Sequence, residues 1–204
     1  MTQPTGRWAE RMAEFAEADK RTPFPKGGVV FTGASSIRLW HSLAQDMAPV
    51  PALNRGFGGA MILDVLENFE WLIPSHSPSV VVLYAGSHDV HHGASPHEAC
   101  ERLRRLTERC RQLSSRPRLA FISLKPSRKK WDRIHLDREL NRLARLEAEV
   151  TEGLDYLDIW TPMTREGEPP PKDLFAEDEN HLSATGYAIW RDVVRGYLGS
   201  LGLL

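Results

Sequence analysis

Val80-Val81-Val82-Leu83-Tyr84-Ala85 is an unbroken apolar run led by three valines, and Gly86-Ser87-His88-Asp89 follows it directly. A run without polar alternation is what a strand buried on both faces requires. Such a strand needs helices on each side, and the flanks supply them. Pro96 to Leu113 reads as a helix with Pro at its start, and Met61 to Leu72 as a helix on the other flank. Further out, Gly28–Thr32, Val50–Leu53, Leu119–Leu124 and Leu154–Leu157 read as four more strands. Arg7–Ala18, Ser36–Leu43, Trp131–Val150 and Ser183–Leu201 read as helices, the last with Ser183 as N-cap. This alternation predicts an α/β fold, a five-stranded parallel sheet with helices on both faces. Ligands of such sheets sit outside the carboxyl ends of the strands.

Bulk properties bound the function. A chain of 204 residues fits one domain spanning 1–204, in which residues 1–25 form a leading helix and connection. The net charge of -1 argues against a general binder of nucleic acid or acidic membranes. Met1 to Lys20 is charged and lacks an apolar core, so it does not read as a secretory signal. The longest apolar runs are strand-sized, too short for a membrane span. Cys100 and Cys110 lie ten apart on a predicted helix. That separates them by about 15 Å along its axis, too far for a bridge. Both read as reduced thiols, consistent with a cytoplasmic protein.

Four short motifs carry chemistry. Gly33-Ala34-Ser35-Ser36 follows the first strand, where Gly permits a sharp turn. Ser35 then stands at a helix start, where its own N–H lacks an intrahelical partner and is free to donate to an oxyanion. A helix cap is the plainer role for Ser35 or Ser36. Asn54-Arg55-Gly56-Phe57-Gly58-Gly59 follows the second strand and offers the unencumbered N–H of Gly59. It lacks the G-x-G-x-x-G spacing of a dinucleotide site and the spacing of a P-loop. Gly86-Ser87-His88-Asp89 follows the third strand. Asp178-Glu179-Asn180-His181 precedes the last helix. There His181 can take a proton through one ring nitrogen. Its other nitrogen needs a fixed acceptor, which Asp178 or a nearby backbone carbonyl can provide. Together the set holds a hydroxyl nucleophile, oxyanion donors and an oriented base.

From about Val29 to Trp190 the chain resembles the SGNH hydrolases, also called GDSL-type esterases and lipases. Phe31 to Trp40 is similar to the family's first block, Asn54 to Gly59 to its second, Gly86 to Asp89 to its third and Asp178 to His181 to its fifth. The resemblance implies a three-layer α/β/α, flavodoxin-like fold with no metal or organic cofactor. It implies Ser35 as nucleophile, His181 as base and Asp178 as its partner, with the N–H groups of Ser35 and Gly59 in the oxyanion hole. Two positions depart from the family pattern. Ala34 replaces the Asp of Gly-Asp-Ser, which the family scheme does not use in catalysis. His88 stands where the family has its oxyanion-hole Asn. Losing one such donor costs roughly 3 kcal/mol, about a hundredfold in rate.

The expected activity is hydrolysis of short, acetyl-type carboxylic esters of small molecules, because no long insertion is present to form a lid over a lipid chain. Two alternatives stand beside it. One is a catalytically impaired SGNH-fold protein that binds or regulates, motivated by His88. The other is a metal-assisted hydrolase using the His88-Asp89-Val90-His91-His92 cluster. Trp40, Trp71, Trp131 and Trp160 read chiefly as packing residues. Lys125 to Lys130 reads as a solvated loop on the site's edge of the sheet, or as a contact for an anionic substrate group.

Overall fold

In a computed structural model, residues 4–204 are described. The strands β1 (Val29–Gly33), β2 (Ala52–Gly56), β3 (Val80–Tyr84), β4 (Arg118–Ile122) and β5 (Leu154–Leu157) form one sheet in the order β2-β1-β3-β4-β5. Every pairing is parallel, with Val29 level with Ala52 and Val80, and Leu119 level with Leu154. This is the flavodoxin-like order. The chain turns from one side of β1 to the other between β2 and β3, so the ends of β1 and β3 frame the topological switch point where such folds bind ligands.

The sheet is buried on both sides, as the valine run requires. All residues of β1 and β3 are buried, Val29–Thr32 and Val80–Tyr84 at most 3% exposed. On one face Phe31 meets Trp40, and Tyr84 meets Trp190 of the C-terminal helix, Ala184–Ser200. Side chains alternate along a strand, so Phe121 points to the opposite face. It packs there, tilted, against Tyr156, which in turn lies against Arg145 of the helix Ile134–Val150. Helices thus form the outer layers of an α/β/α sandwich.

Element boundaries differ from the expected ones where tertiary contacts outweigh local preference. The second strand runs three residues further, to Gly56, so Asn54, Arg55 and Gly56 lie within it. Asn and Gly are poor strand formers. Here Asn54 Nδ2 donates to the Ile37 carbonyl, and Arg55 is buried against Asp19 of the leading helix, Ala9–Arg21. The expected helix at 36–43 is two short ones, Ser35–Arg38 and Leu43–Met47. The one at 61–72 breaks at Asn68, whose side chain bonds back to the Asp64 carbonyl. A five-residue helix, Ser87–His91, follows β3 where none was expected.

Candidate active site

Gly33 decides how the chain leaves β1. Its φ is +119°, and a Cβ there would sit 2.1 Å from the Tyr84 carbonyl oxygen, so only glycine fits. The Ala34 N–H bonds that same carbonyl at 2.8 Å. Ser35 then opens a single helical turn and points to the carboxyl edge of the sheet. Its Oγ is 3.0 Å from His181 Nε2. His181 Nδ1 is 2.5 Å from Asp178 Oδ2. The structure therefore brings Ser35, His181 and Asp178 into one hydrogen-bonded chain, although 146 positions separate the first two.

The loop bearing the histidine is tied down before the final helix begins. Phe175 and Leu182 form an antiparallel bridge across it, and Ala176 N–H bonds the His181 carbonyl at 2.8 Å. Ser183 caps the helix by accepting from Gly186 N–H. Asp178 Oδ1 accepts the backbone N–H groups of Asn180 and His181 at 3.0 and 2.9 Å. Slight desolvation of this exposed side chain works against its charge. The two backbone donors and the His181 ring outweigh that desolvation and bring its pKa down to about 2. The carboxylate is thus ionised throughout the working range. With Nδ1 bonded to it, His181 Nε2 is free to accept a proton.

The amides of Ser35 and Gly59 donate to no backbone carbonyl among the described residues. Gly59, at φ +77°, closes the loop after β2, one strand over from Ser35. His88 lines a cavity beside Ser35. Burial first, then the charges of Lys130, His92, Lys125 and His91, lowers its pKa to about 4, so its imidazole is neutral at ordinary pH. A neutral ring carries one N–H and can serve as a donor.

The rest of the His88–His92 cluster disperses. His91 turns inward to Asp137 at 2.7 Å, and His92 is exposed and stacked on His88. Among the described residues no three His, Cys, Asp or Glu side chains converge as metal ligands. Asp89 is buried and structural: it accepts from Ile62 N–H and from Arg102.

The segment 125–130 is not the solvated loop expected of its charge. Lys125 is 7% exposed. Its ammonium donates to Ser36 Oγ at 3.0 Å and the Tyr84 hydroxyl at 3.2 Å. Ser127 Oγ donates to Asn180 Oδ1, Lys129 N–H bonds the Glu179 carbonyl, and Arg128 pairs with Glu179. This loop is therefore clasped to the histidine's loop. The one sequence signal for Lys125 was its position directly after the apolar run of the fourth strand, on the site's edge. Trp40 is core, as expected: it is 1% exposed and stacks on Tyr187, whose hydroxyl bonds the Ser36 carbonyl.

Residues 26–189 match the model of the GDSL-like lipase/acylhydrolase family. No curated protein matches the chain. Among solved structures, one from Streptococcus pneumonia, named for platelet activating factor, aligns at TM-score 0.79 and 16% identity, over 93% of this chain and 92% of that one. A GDSL-like lipase from Bacteroides thetaiotaomicron aligns at TM-score 0.74 and 19% identity, over 93% and 98%. A mutant of an acetyl-xylooligosaccharide esterase from Geobacillus Stearmophilus aligns at TM-score 0.70 and 16% identity, over 86% and 96%. These likenesses carry the fold.

Proposed function

The chain belongs to the GDSL-like lipase/acylhydrolase family and is by that membership a carboxylic ester hydrolase, from which premise we propose a serine esterase acting on short acyl groups through an acyl-serine intermediate. The observation that carries this reading is the unbroken chain from Asp178 through His181 to Ser35 Oγ.

In the proposed reaction Ser35 Oγ bonds to the carbonyl carbon as its proton passes to His181 Nε2. Asp178 holds the resulting imidazolium. The negative oxygen of the tetrahedral intermediate is met by the N–H groups of Ser35 and Gly59, with His88 as a neutral third donor. Collapse breaks the ester C–O bond, and the leaving alkoxide takes the proton from His181. Water then attacks the acyl-serine with His181 as base. The acid departs, Ser35 regains its proton, and one water has been consumed. Short acyl groups are favoured because, among the described residues, no long insertion stands over Ser35 to cover a lipid chain.

Hydrolysis of p-nitrophenyl acetate by wild type, Ser35→Ala and His88→Asn tests the reading. Ser35→Ala should be inactive and His88→Asn active or faster. A long-chain p-nitrophenyl ester turned over as fast as the acetate would overturn the short-acyl preference. His88 also motivates a second reading, a protein that keeps the fold and binds without turnover. A fluorophosphonate probe separates the two, since labelling at Ser35 needs an activated hydroxyl.

A further inference from the structure

Two lysines beside the nucleophile have no part in the esterase chemistry above. The Lys125 ammonium touches only neutral hydroxyls, Ser36 and Tyr84. The carboxylates whose charge reaches it are engaged elsewhere, Asp137 with His91 and Asp178 with His181. The ammonium of Lys130, half-buried, donates to Ser87 Oγ at 3.0 Å. Neither lysine has a carboxylate within ion-pair distance, 4.0 Å, among the described residues. Both line one cavity with Ser35, His88, Ser127 and Asn180, and no acidic side chain lines it.

Burying an ammonium away from a counter-charge is costly, and an alkyl group seated beside it offers nothing in return. A carboxylate does, because charge-assisted hydrogen bonds are the strong ones and both amines face the same small space. Lysine is suited to this, as a compact point charge with three donors. The Asn180 amide N–H, whose oxygen accepts from Ser127, adds a neutral donor to the cavity.

We propose that this cavity binds a carboxylate carried by the ester substrate, so that the enzyme prefers an anionic ester to a neutral one of equal size. The proposal rests on the esterase reading and names its substrate class. The carboxylate sits either on the acyl part, as in a half-ester of a small dicarboxylic acid, or on the alcohol.

Three esters distinguish these: phenyl acetate, which is neutral, monophenyl malonate, charged on the acyl side, and 4-acetoxybenzoate, charged on the alcohol. One charged ester should exceed phenyl acetate in kcat/KM by about tenfold or more, and which one reveals the side. Lys125→Met and Lys130→Met should each pull that ratio back toward one, more completely for the more buried Lys125. A ratio near one for both charged esters in wild type overturns the proposal, and that result needs no variant to fold. A second arm needs no turnover. Ser35→Ala titrated calorimetrically with sodium malonate should give saturable heat that Lys125→Met abolishes in the same background. Absence of saturable heat, or heat unchanged by both lysine substitutions, also overturns it. Failure of the fluorophosphonate to label Ser35 would instead remove the esterase reading, leaving the malonate titration to judge the cavity alone.

Discussion

Lys125 should leave a signature in stability that can be read without any substrate. Burial, the largest influence, brings its pKa from 10.5 to about 8, against the opposing pull of Asp137 and Asp178. The unfolded chain therefore binds a proton at this position up to near pH 10.5, while the folded chain releases it near pH 8. Wherever the unfolded state holds more protons, stability rises with pH. The penalty is thus fully present below pH 8 and is relieved as pH climbs above it. Integrated from pH 7 to pH 10, the relief is roughly 2 to 3 kcal/mol. Lys125→Met lacks the group and cannot show it. Urea unfolding of both proteins at pH 7, 8, 9 and 10 isolates the effect, because titrations common to both cancel in the difference. Wild type should gain on Lys125→Met by that amount across the series, with most of the gain above pH 8. A difference that stays flat, or that shrinks with rising pH, would refute the claim that this ammonium is buried without an ion-pair partner.

Asp178→Asn should lower kcat for p-nitrophenyl acetate by about a hundredfold or more, since the amide no longer fixes the His181 tautomer; a loss below about threefold would mean that the carboxylate is not orienting the ring. The neutral His88 predicts that wild type and His88→Asn have pH–rate profiles of the same shape between pH 5 and 8, and a limb near pH 6 that vanishes in His88→Asn would contradict it. Gly33→Ala must place a Cβ on the Tyr84 carbonyl at a φ of +119°, so a loss of about 3 kcal/mol or more is expected in urea unfolding, and near-wild-type stability would refute the account of that turn. Hydrolysis should be unaffected by prolonged dialysis against a chelator, and loss of activity restored by zinc would revive the metal-assisted alternative.

The fold class was legible because its strongest signal is chemical and local. The Val80–Tyr84 strand coincides with the expected one, and so does the strand at Leu154–Leu157. What was not legible depends on partners distant in sequence. Nothing near Asn54 and Arg55 marks them as strand, because their pairing is with Phe31 and Thr32 and their side chains are held by Ile37 and Asp19. Asn68 reads as an ordinary helical position until its side chain is seen capturing the Asp64 carbonyl. The motifs named the residues that the structure brings to one edge, Ser35, Asp178 and His181, because each follows or precedes a recognisable element. The burial of Lys125 escaped for the opposite reason. In a run with Arg128, Lys129 and Lys130 its charge suggested solvent, and only the packing of Ser36 and Tyr84 around its ammonium reveals that it is interior.

The bonds joining Ser127 to Asn180, Lys129 to Glu179 and Arg128 to Glu179 make a single rigid bracket of two segments some fifty residues apart. One arm of the bracket carries the ammonium of Lys125 and the other carries the imidazole of His181. Were a guest to shift the first arm, these bonds would carry the shift to the second, and discrimination between guests would register in turnover number as well as in capture.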